Sequence, residues 1–498
     1  MAKTGALNPH PFPPPSRGRE WVRVQRVRFR ALVMGTLTLA LAGCISLAPN
    51  YERPPIELPE DWAAPEGRST AEIGAQWWKI YDDALLDTLI DEALANNANL
   101  QVAVARVDEA RALLGLARAD QSPILDASLE RSRTNASLRT ATPLPPGTPR
   151  ETDDYRGVIN ASYELDLWGR LRDASSAARA ELLATEAAHA TVRIALAADV
   201  TQAYFGLRAL DEQLAATTRA LETRSKSLAL QKLRYEVGAI SEFEFRQLEA
   251  EVLAARAQLP ALERLRAQQE HALAVLLGKS PRAIYAAANM VAALERSEDV
   301  IEAPALVVPT GLPSQLLLRR PDLTESEQRL IAANARIGVA RAAYFPSISL
   351  TGFFGSQSGV LADLFTAPAG TWQAAVALTQ PLWAGGRAGS GVDAASARQR
   401  QALAQYQLSI QNAFRDVRDA IVAQAKTRTQ FEAERERVQA LRTSLRLAQI
   451  RYDNGVASQL DVLDAERSLL GAELNRSDAL RAQRAAIADL FKALGGGW

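Results

Sequence analysis

The strongest pattern in the chain has a period of seven. Apolar side chains recur at Val200, Leu207, Leu214, Leu221, Leu228 and Tyr235, and again at Ile410, Val417, Phe431, Val438, Leu445 and Tyr452, with Gln424 the one polar member of the second row. Such a stripe keeps one seam of a helix against its neighbour and winds the pair into a left-handed supercoil. The stretches around it, about 170–277 and 387–494, are rich in Ala, Leu, Arg, Glu and Gln, all strong helix formers. Both stripes end on a tyrosine followed three residues later by a glycine, Gly238 or Gly455, which lets the backbone turn. Two long antiparallel helical hairpins with Tyr-x-x-Gly tips are predicted. Pro260 lies in the return arm of the first, where the second has Ser477, and predicts a kink or break.

A second pattern has a period of two and occupies four short runs, 123–132, 155–166, 346–356 and 371–382. Ile348, Leu350, Gly352 and Phe354 share one face, as do Trp372, Ala374, Val376 and Leu378. Runs of about ten alternating residues fit membrane-spanning strands, and they fit an ordinary half-buried hairpin as well. Four strands are too few for a membrane barrel, which needs at least eight, and an unclosed sheet in lipid would leave backbone groups unpaired. Several copies would have to share one barrel. A helix precedes each strand pair, about 84–119 and 322–342, ended by Pro123 and Pro346.

The two sets of elements are copies of one unit. Arg234, Tyr235, Gly238 and Ser241 match Arg451, Tyr452, Gly455 and Ser458 at a shift of 217, which also carries Glu249 to Glu466 and Gly278 to Gly495. Earlier the shift is 223, from Arg106 to Arg329, Gly115 to Gly338 and Pro123 to Pro346. The extra six residues fall in the Pro/Gly-rich stretch 142–149, a loop. The fold class predicted is α+β and mostly α, with internal duplication. The divisions are a signal over 1–43, an N-terminal segment over 44–83, repeat one over 84–278, a Pro-bearing linker over 279–320 and repeat two over 321–498.

Composition sharpens this in three ways. Among 498 residues, 57 Lys and Arg balance 57 Asp and Glu, but residues 1–43 hold seven basic residues and one acid, so the rest is mildly acidic. The basic stretch Arg23 to Arg30 leads into an apolar run, 31–43, too short to span a bilayer, which reads as a secretory signal. Residues 1–20 make an unusually long leader, so translation is expected to start further in, near Val22, Val24 or Met34. Leu41-Ala42-Gly43-Cys44 resembles a bacterial lipobox, with the only cysteine as the lipid attachment site. One cysteine excludes an internal disulfide, and His10, His189 and His271 are too far apart for a local metal motif. No phosphate loop or cluster of nucleophile and base is evident; the glycines of 385–391 lack the required spacing, so no enzyme and no cofactor beyond the lipid are expected.

With the lipobox, Trp77-Trp78, Leu318-Arg319-Arg320-Pro321-Asp322, Ala343-Tyr344-Phe345-Pro346, the two Tyr-x-x-Gly tips and the ending Leu494 to Trp498, in this order on a duplicated chain, the sequence resembles the outer membrane factors of Gram-negative bacteria. These are the TolC-like exit ducts, and the likeness is strongest to the lipoprotein branch (OprM and NodT types) serving resistance-nodulation-division pumps. The resemblance runs from about residue 44 to the end. It implies a homotrimer with a shared twelve-stranded outer membrane β-barrel and a periplasmic α-barrel, passively conducting small molecules passed on by an inner-membrane transporter and a periplasmic adaptor. It also implies a gate at the hairpin tips, made here by Tyr452, Gly455, Asp461 and Asp464 with Tyr235, Gly238 and Glu244; Ala457 stands where the TolC-type arginine would be. Ile45 after the cysteine implies outer membrane rather than inner membrane retention. Protein export, metal-ion efflux and a non-pore periplasmic scaffold are the alternatives.

Overall fold

The computed structural model describes residues 46–55, 74, 76–139, 144–285 and 320–496. The signal, Cys44, most of the 279–320 linker and Trp498 lie outside these residues. The described chain divides into two compact units, one around the strands and one around the helices.

The first unit holds a four-stranded antiparallel sheet in the order β1-β2-β3-β4: β1 Ile124–Asn135, β2 Glu151–Leu165, β3 Ser347–Ser358 and β4 Gly370–Thr379. Each strand overlaps its period-two run, with ends shifted by one to four residues. Register joins the copies: Tyr163 pairs with Leu350, and Leu350 with Val376. Strands β1 and β4 are left as edges.

The second unit is helical. After a 3-10 turn at Trp77–Tyr81 come α1 Ala84–Asn96, α2 Ala98–Ala119, α3 Arg170–Glu236, α4 Glu242–Leu276 and the short α5 Pro281–Tyr285; then α6 Pro321–Ala342, α7 Arg387–Asp453 and α8 Gln459–Ala493. The duplication is exact in length. Helices α3 and α7 both have 67 residues, α4 and α8 both 35, and α2 and α6 both 22. At 1.5 Å per residue a 67-residue helix runs roughly 100 Å.

Two expectations need correction. The helix expected over 84–119 is two helices, because Asn97 leaves helical geometry at ψ 126. Its Oδ1 accepts from the Leu100 amide at 3.1 Å, capping α2, while its Nδ2 donates to the Leu276 carbonyl at 2.8 Å. Of the kink or break expected at Pro260, the break does not occur: α4 runs through it unbroken. The proline is exposed, so the carbonyl it leaves without a donor can bind water.

A tryptophan-led cluster holds the base of the helical unit. Trp77, Trp78, Tyr81, Leu86 and Ile90 pack with Tyr204, Phe205, Leu273, Leu277, Ile487 and Phe491, joining the chain's start, α3, the end of α4 and the end of α8. Trp77 stacks on Phe491 at 4.9 Å between ring centroids. Both phenols taken into this core are partnered: the Tyr204 hydroxyl donates to Asp83 at 2.6 Å and the Tyr81 hydroxyl to the Arg484 carbonyl at 2.7 Å. Burial raises the pKa of both phenols well above the ordinary value, and both remain donors.

Candidate functional site

The sheet has two chemically distinct faces. Strand register places Leu125, Ala127 and Leu129 on one face with Leu165, Tyr163, Ala161, Ile159 and Gly157 of β2. The same face continues through Ile348, Leu350, Gly352 and Phe354 to Leu378, Val376, Ala374 and Trp372. On the protomer Leu129 is 78% exposed, Phe354 72% and Trp372 75%, while Tyr163, Leu165, Ile348 and Leu350 are half-buried. The opposite face carries Asp126, Ser128, Glu130, Glu164, Ser162, Asn160, Arg156, Asp154, Ser349, Thr351, Gln357, Gln373 and Thr371. There Asn160 Nδ2 donates to Asp126 at 2.7 Å and Gln357 Nε2 to Asp154 at 2.9 Å, and Arg156 lies over the Phe353 ring.

The apolar face has a measurable height. On β2 it runs from Tyr155 to Leu165; at 3.4 Å per residue and a tilt of ~40° that is a band about 26 Å tall, the hydrophobic height of a membrane barrel. At its far edge the Arg131–Asp153 and Arg133–Glu151 ion pairs take over the same face. At its near edge Trp168 stacks on Phe345 at 4.7 Å and donates its indole N–H to the Pro346 carbonyl at 2.8 Å. Aromatic residues favour that boundary between hydrocarbon and water. Among the described residues no helix is long and apolar enough to cross a membrane.

The other feature is the pair of helical tips. Both turn through a left-handed glycine, Gly238 at φ 74 and Gly455 at φ 71. In both, the amide one residue beyond the glycine donates back across the turn, Ala239 to the Arg234 carbonyl at 2.8 Å and Val456 to that of Arg451 at 2.9 Å. Return helices start with matching capping boxes: Ser241 with Glu244, and Ser458 with Asp461. The Ser458 amide and hydroxyl both donate to Asp461 at 2.8 Å and hold its carboxyl below the usual aspartate range.

The structure brings some of the sequence-derived tip residues together and leaves others apart. Tyr452 sits in a cluster of residues from both copies: its hydroxyl oxygen meets Arg234 Nη1 at 2.7 Å and Gln231 Nε2 at 2.8 Å, and Gln231 also donates to Gln459 at 3.1 Å. Tyr235 stacks instead on Phe245 at 5.1 Å. Asp464 comes only within 3.9 Å of Arg467. The cation beside Tyr452 thus comes from Arg234 of the first copy, with Ala457 contributing none.

Hydrophobic periodicity also missed a buried polar row. Near the tip the most buried residues of α3 are Thr217, Arg224 and Gln231, at 0%, 3% and 4% exposure, and not Leu214, Leu221 and Leu228. Arg224 reaches Glu251 of α4 at 3.3 Å and Glu466 of α8 at 3.8 Å, while Arg467 pairs with Glu251 from the other side. Burial raises the Glu466 carboxyl pKa, and Arg224 partly opposes it. At the 217 shift Arg224 corresponds to Leu441, so this cluster exists in one copy only. Among the described residues no group of three His, Cys, Asp or Glu is placed to hold a metal ion.

Residues 89–279 and 312–496 match the family described as outer membrane efflux protein. The chain is 37% identical over 479 residues to outer membrane protein OprJ of Pseudomonas aeruginosa, covering 95% of this chain and 97% of OprJ. It is 35% identical over 466 residues to the cation efflux system protein CusC of Escherichia coli, covering 93% and 98%. The crystal structure of the Campylobacter jejuni CmeC outer membrane channel superposes with a TM-score of 0.85 at 29% identity, over 91% of this chain and 95% of CmeC.

Proposed function

The chain belongs to the outer membrane efflux protein family, and on that premise we propose how its geometry works as the exit duct of a tripartite efflux pump. The carrying observation is the two-faced sheet with two open edges. In lipid each edge must find a partner, because an unpaired backbone group there costs several kcal/mol. Three chains supply twelve strands and close the barrel, β4 of one pairing with β1 of the next; the apolar face then meets lipid and the polar face lines the lumen. Among the described strand residues that lumen face carries Asp126, Glu130 and Asp154 against Arg156, while Glu164 is paired with Arg170 at 2.6 Å, so the passage is acidic and favours cations over anions.

The duct is lipid-anchored through Cys44 and receives its cargo from a periplasmic adaptor and an inner-membrane transporter of the resistance-nodulation-division class, which provides the energy. The chain contributes a closed wall and a gate. The gate is the tip cluster: Tyr452 tied to Gln231 and Arg234 holds the second hairpin to the first, and Asp461 and Asp464, repeated three times, ring the entrance. Glu244, Gly238 and Tyr235 shape the first tip, Gly455 the second.

Cargo is a small organic compound in preference to a soft metal ion. The sequence has three Met, one Cys and three His, too few soft donors for a relay of copper or silver ligands. Deleting the gene should raise susceptibility to drugs and solvents; sensitivity confined to copper and silver salts would move the duct to the cation class. In planar bilayers the purified trimer should conduct, with cation preference. Asp461→Asn with Asp464→Asn, which keeps a side-chain oxygen at the cap, should weaken that preference and raise conductance. Unchanged values would remove these acids from the gate.

A further inference from the structure

Residues 46–48 lie, within the first unit, against the place where α3 begins and α6 ends. The Ser46 hydroxyl donates to Asp173 Oδ1 at 2.6 Å, and Arg341 Nη1 donates to the Leu47 carbonyl at 3.0 Å. Asp173 is 5% exposed, and its Oδ2 has no hydrogen-bond partner. That oxygen faces a space that exists only because residue 338 is glycine: a Cβ there would come within 2.0 Å of Asp173 Oδ2 and 2.6 Å of the Ala48 amide nitrogen. Three stretches of chain meet at one point, and no side chain fits between them.

The duplication supplies an internal control. Gly338 and Arg341 correspond to Gly115 and Arg118 at the 223 shift, and Asp173 corresponds to Ser390 at the 217 shift. An added Cβ at Gly115 would meet nothing within 4 Å, and serine replaces the buried acid. The repeat thus produced two equivalent places, of which one is equipped, in a chain with a single amino terminus. Farther along, α6 continues to bind the same segment: Glu327 accepts from the Tyr51 hydroxyl at 3.1 Å and from Arg53 at 2.6 and 2.7 Å.

We propose that Asp173, Gly338 and Arg341 form a seat for the chain's own amino-terminal segment, which holds the acyl-bearing Cys44 level with the near edge of the apolar band. This rests on the reading of Cys44 as lipidated and of the sheet as membrane-spanning. Cys44 precedes Ser46 by two residues in the sequence, a link that can span no more than ~7 Å at 3.3–3.6 Å per residue. The seat is at the end of the sheet where β2 stops at Leu165 and β3 starts at Ser347, the end that carries the Trp168–Phe345 pair. The acyl chains therefore enter the bilayer where the strands do. The segment acts as a short strap that sets the depth of the barrel and ties α3 of the first copy to α6 of the second.

The lone cysteine makes the test direct, because lipidation blocks it and leaves Asn50→Cys as the only labelling site. A nitroxide at position 50 of the mature trimer in lipid nanodiscs should give an immobilised spectrum. Gly338→Ala and Asp173→Ala should each raise the mobile fraction several-fold, Arg341→Ala less, and Gly115→Ala not at all, with SDS-resistant trimer as the check on folding. Since Gly338→Ala can fail to assemble, Ser46→Ala with Arg341→Ala serves as the second variant. A mobile label in the parent chain, or no change in any seat variant, overturns the seat. An immobile label on a chain whose mass shows no acyl group at Cys44 overturns the lipid placement.

Discussion

Two adjacent alanines on β4 give the sharpest test of the sheet. Ala374 pairs with Gly352 in the apolar row that continues to Ala161 and Leu125, while Ala375 pairs with Thr351 on the polar face. The Ala374 row is the third of six between Leu378 and Tyr155, near the middle of the ~26 Å band, where an arginine facing lipid costs ~2–4 kcal/mol. Every chain of a threefold barrel carries the change, so Ala374→Arg should cost roughly 6–12 kcal/mol per barrel. Ala375→Arg should cost little, since its guanidinium reaches lumen water. The assay is urea-dependent folding into vesicles, read by the heat at which SDS-resistant trimer disappears, with outer membrane abundance as the cellular counterpart. Conductance separates the faces a second time: Ala375→Arg should reduce cation preference in bilayers, and any Ala374→Arg trimer that forms should keep it. A greater loss of trimer from Ala375→Arg would reverse the faces. Equal and small effects from both would take the sheet out of lipid.

Other outcomes follow from the helices. Arg224→Met leaves Glu251 and Glu466 facing the same buried position without their shared cation and should cost ~3–5 kcal/mol at neutral pH by chemical denaturation. Because burial raises the Glu466 pKa in the folded chain, the native state takes up the proton first; the variant should therefore regain stability as pH falls from 7 toward 5, and a flat profile would show that Glu466 does not titrate there. Pro260→Ala restores a backbone donor in an unbroken helix and should stabilise by about 1–3 kcal/mol in the same denaturation series. Tyr452→Phe removes the oxygen shared by Gln231 and Arg234 and should raise the fraction of open channels in bilayer recordings without changing ion preference.

The parts of the fold most legible in the sequence were those set by backbone periodicity. Tyr-x-x-Gly with a serine three residues beyond the glycine marks each tip, because only glycine turns there cheaply and only a side-chain acceptor can satisfy the first amides of the return helix. Alternation identified the strands, but their register made four separate patterns into one face. What stayed hidden depends on contacts distant in sequence. Asn97 divides a helix because it can bind Leu276, 179 residues away. Thr217, Arg224 and Gln231 occupy a buried seam that a search for apolar residues passes over. Pro260 drew the expectation of a kink or break, and the break is absent because an exposed carbonyl tolerates losing its donor. At the tip, Tyr452 was identified but its partners Gln231 and Arg234 were not, since ordinary polar residues on a long amphipathic helix carry no local mark.

The free edges of β1 and β4 have a genetic consequence. A protomer whose strands can be satisfied only by neighbours has no complete folded form in the membrane, so every working unit samples three chains from the same pool. In a cell making equal amounts of sound and strand-damaged protein, with both entering the barrel, roughly one unit in eight is built wholly from sound chains. Damage to the sheet should therefore behave as dominant over a normal copy, whereas loss of the whole gene product should be recessive.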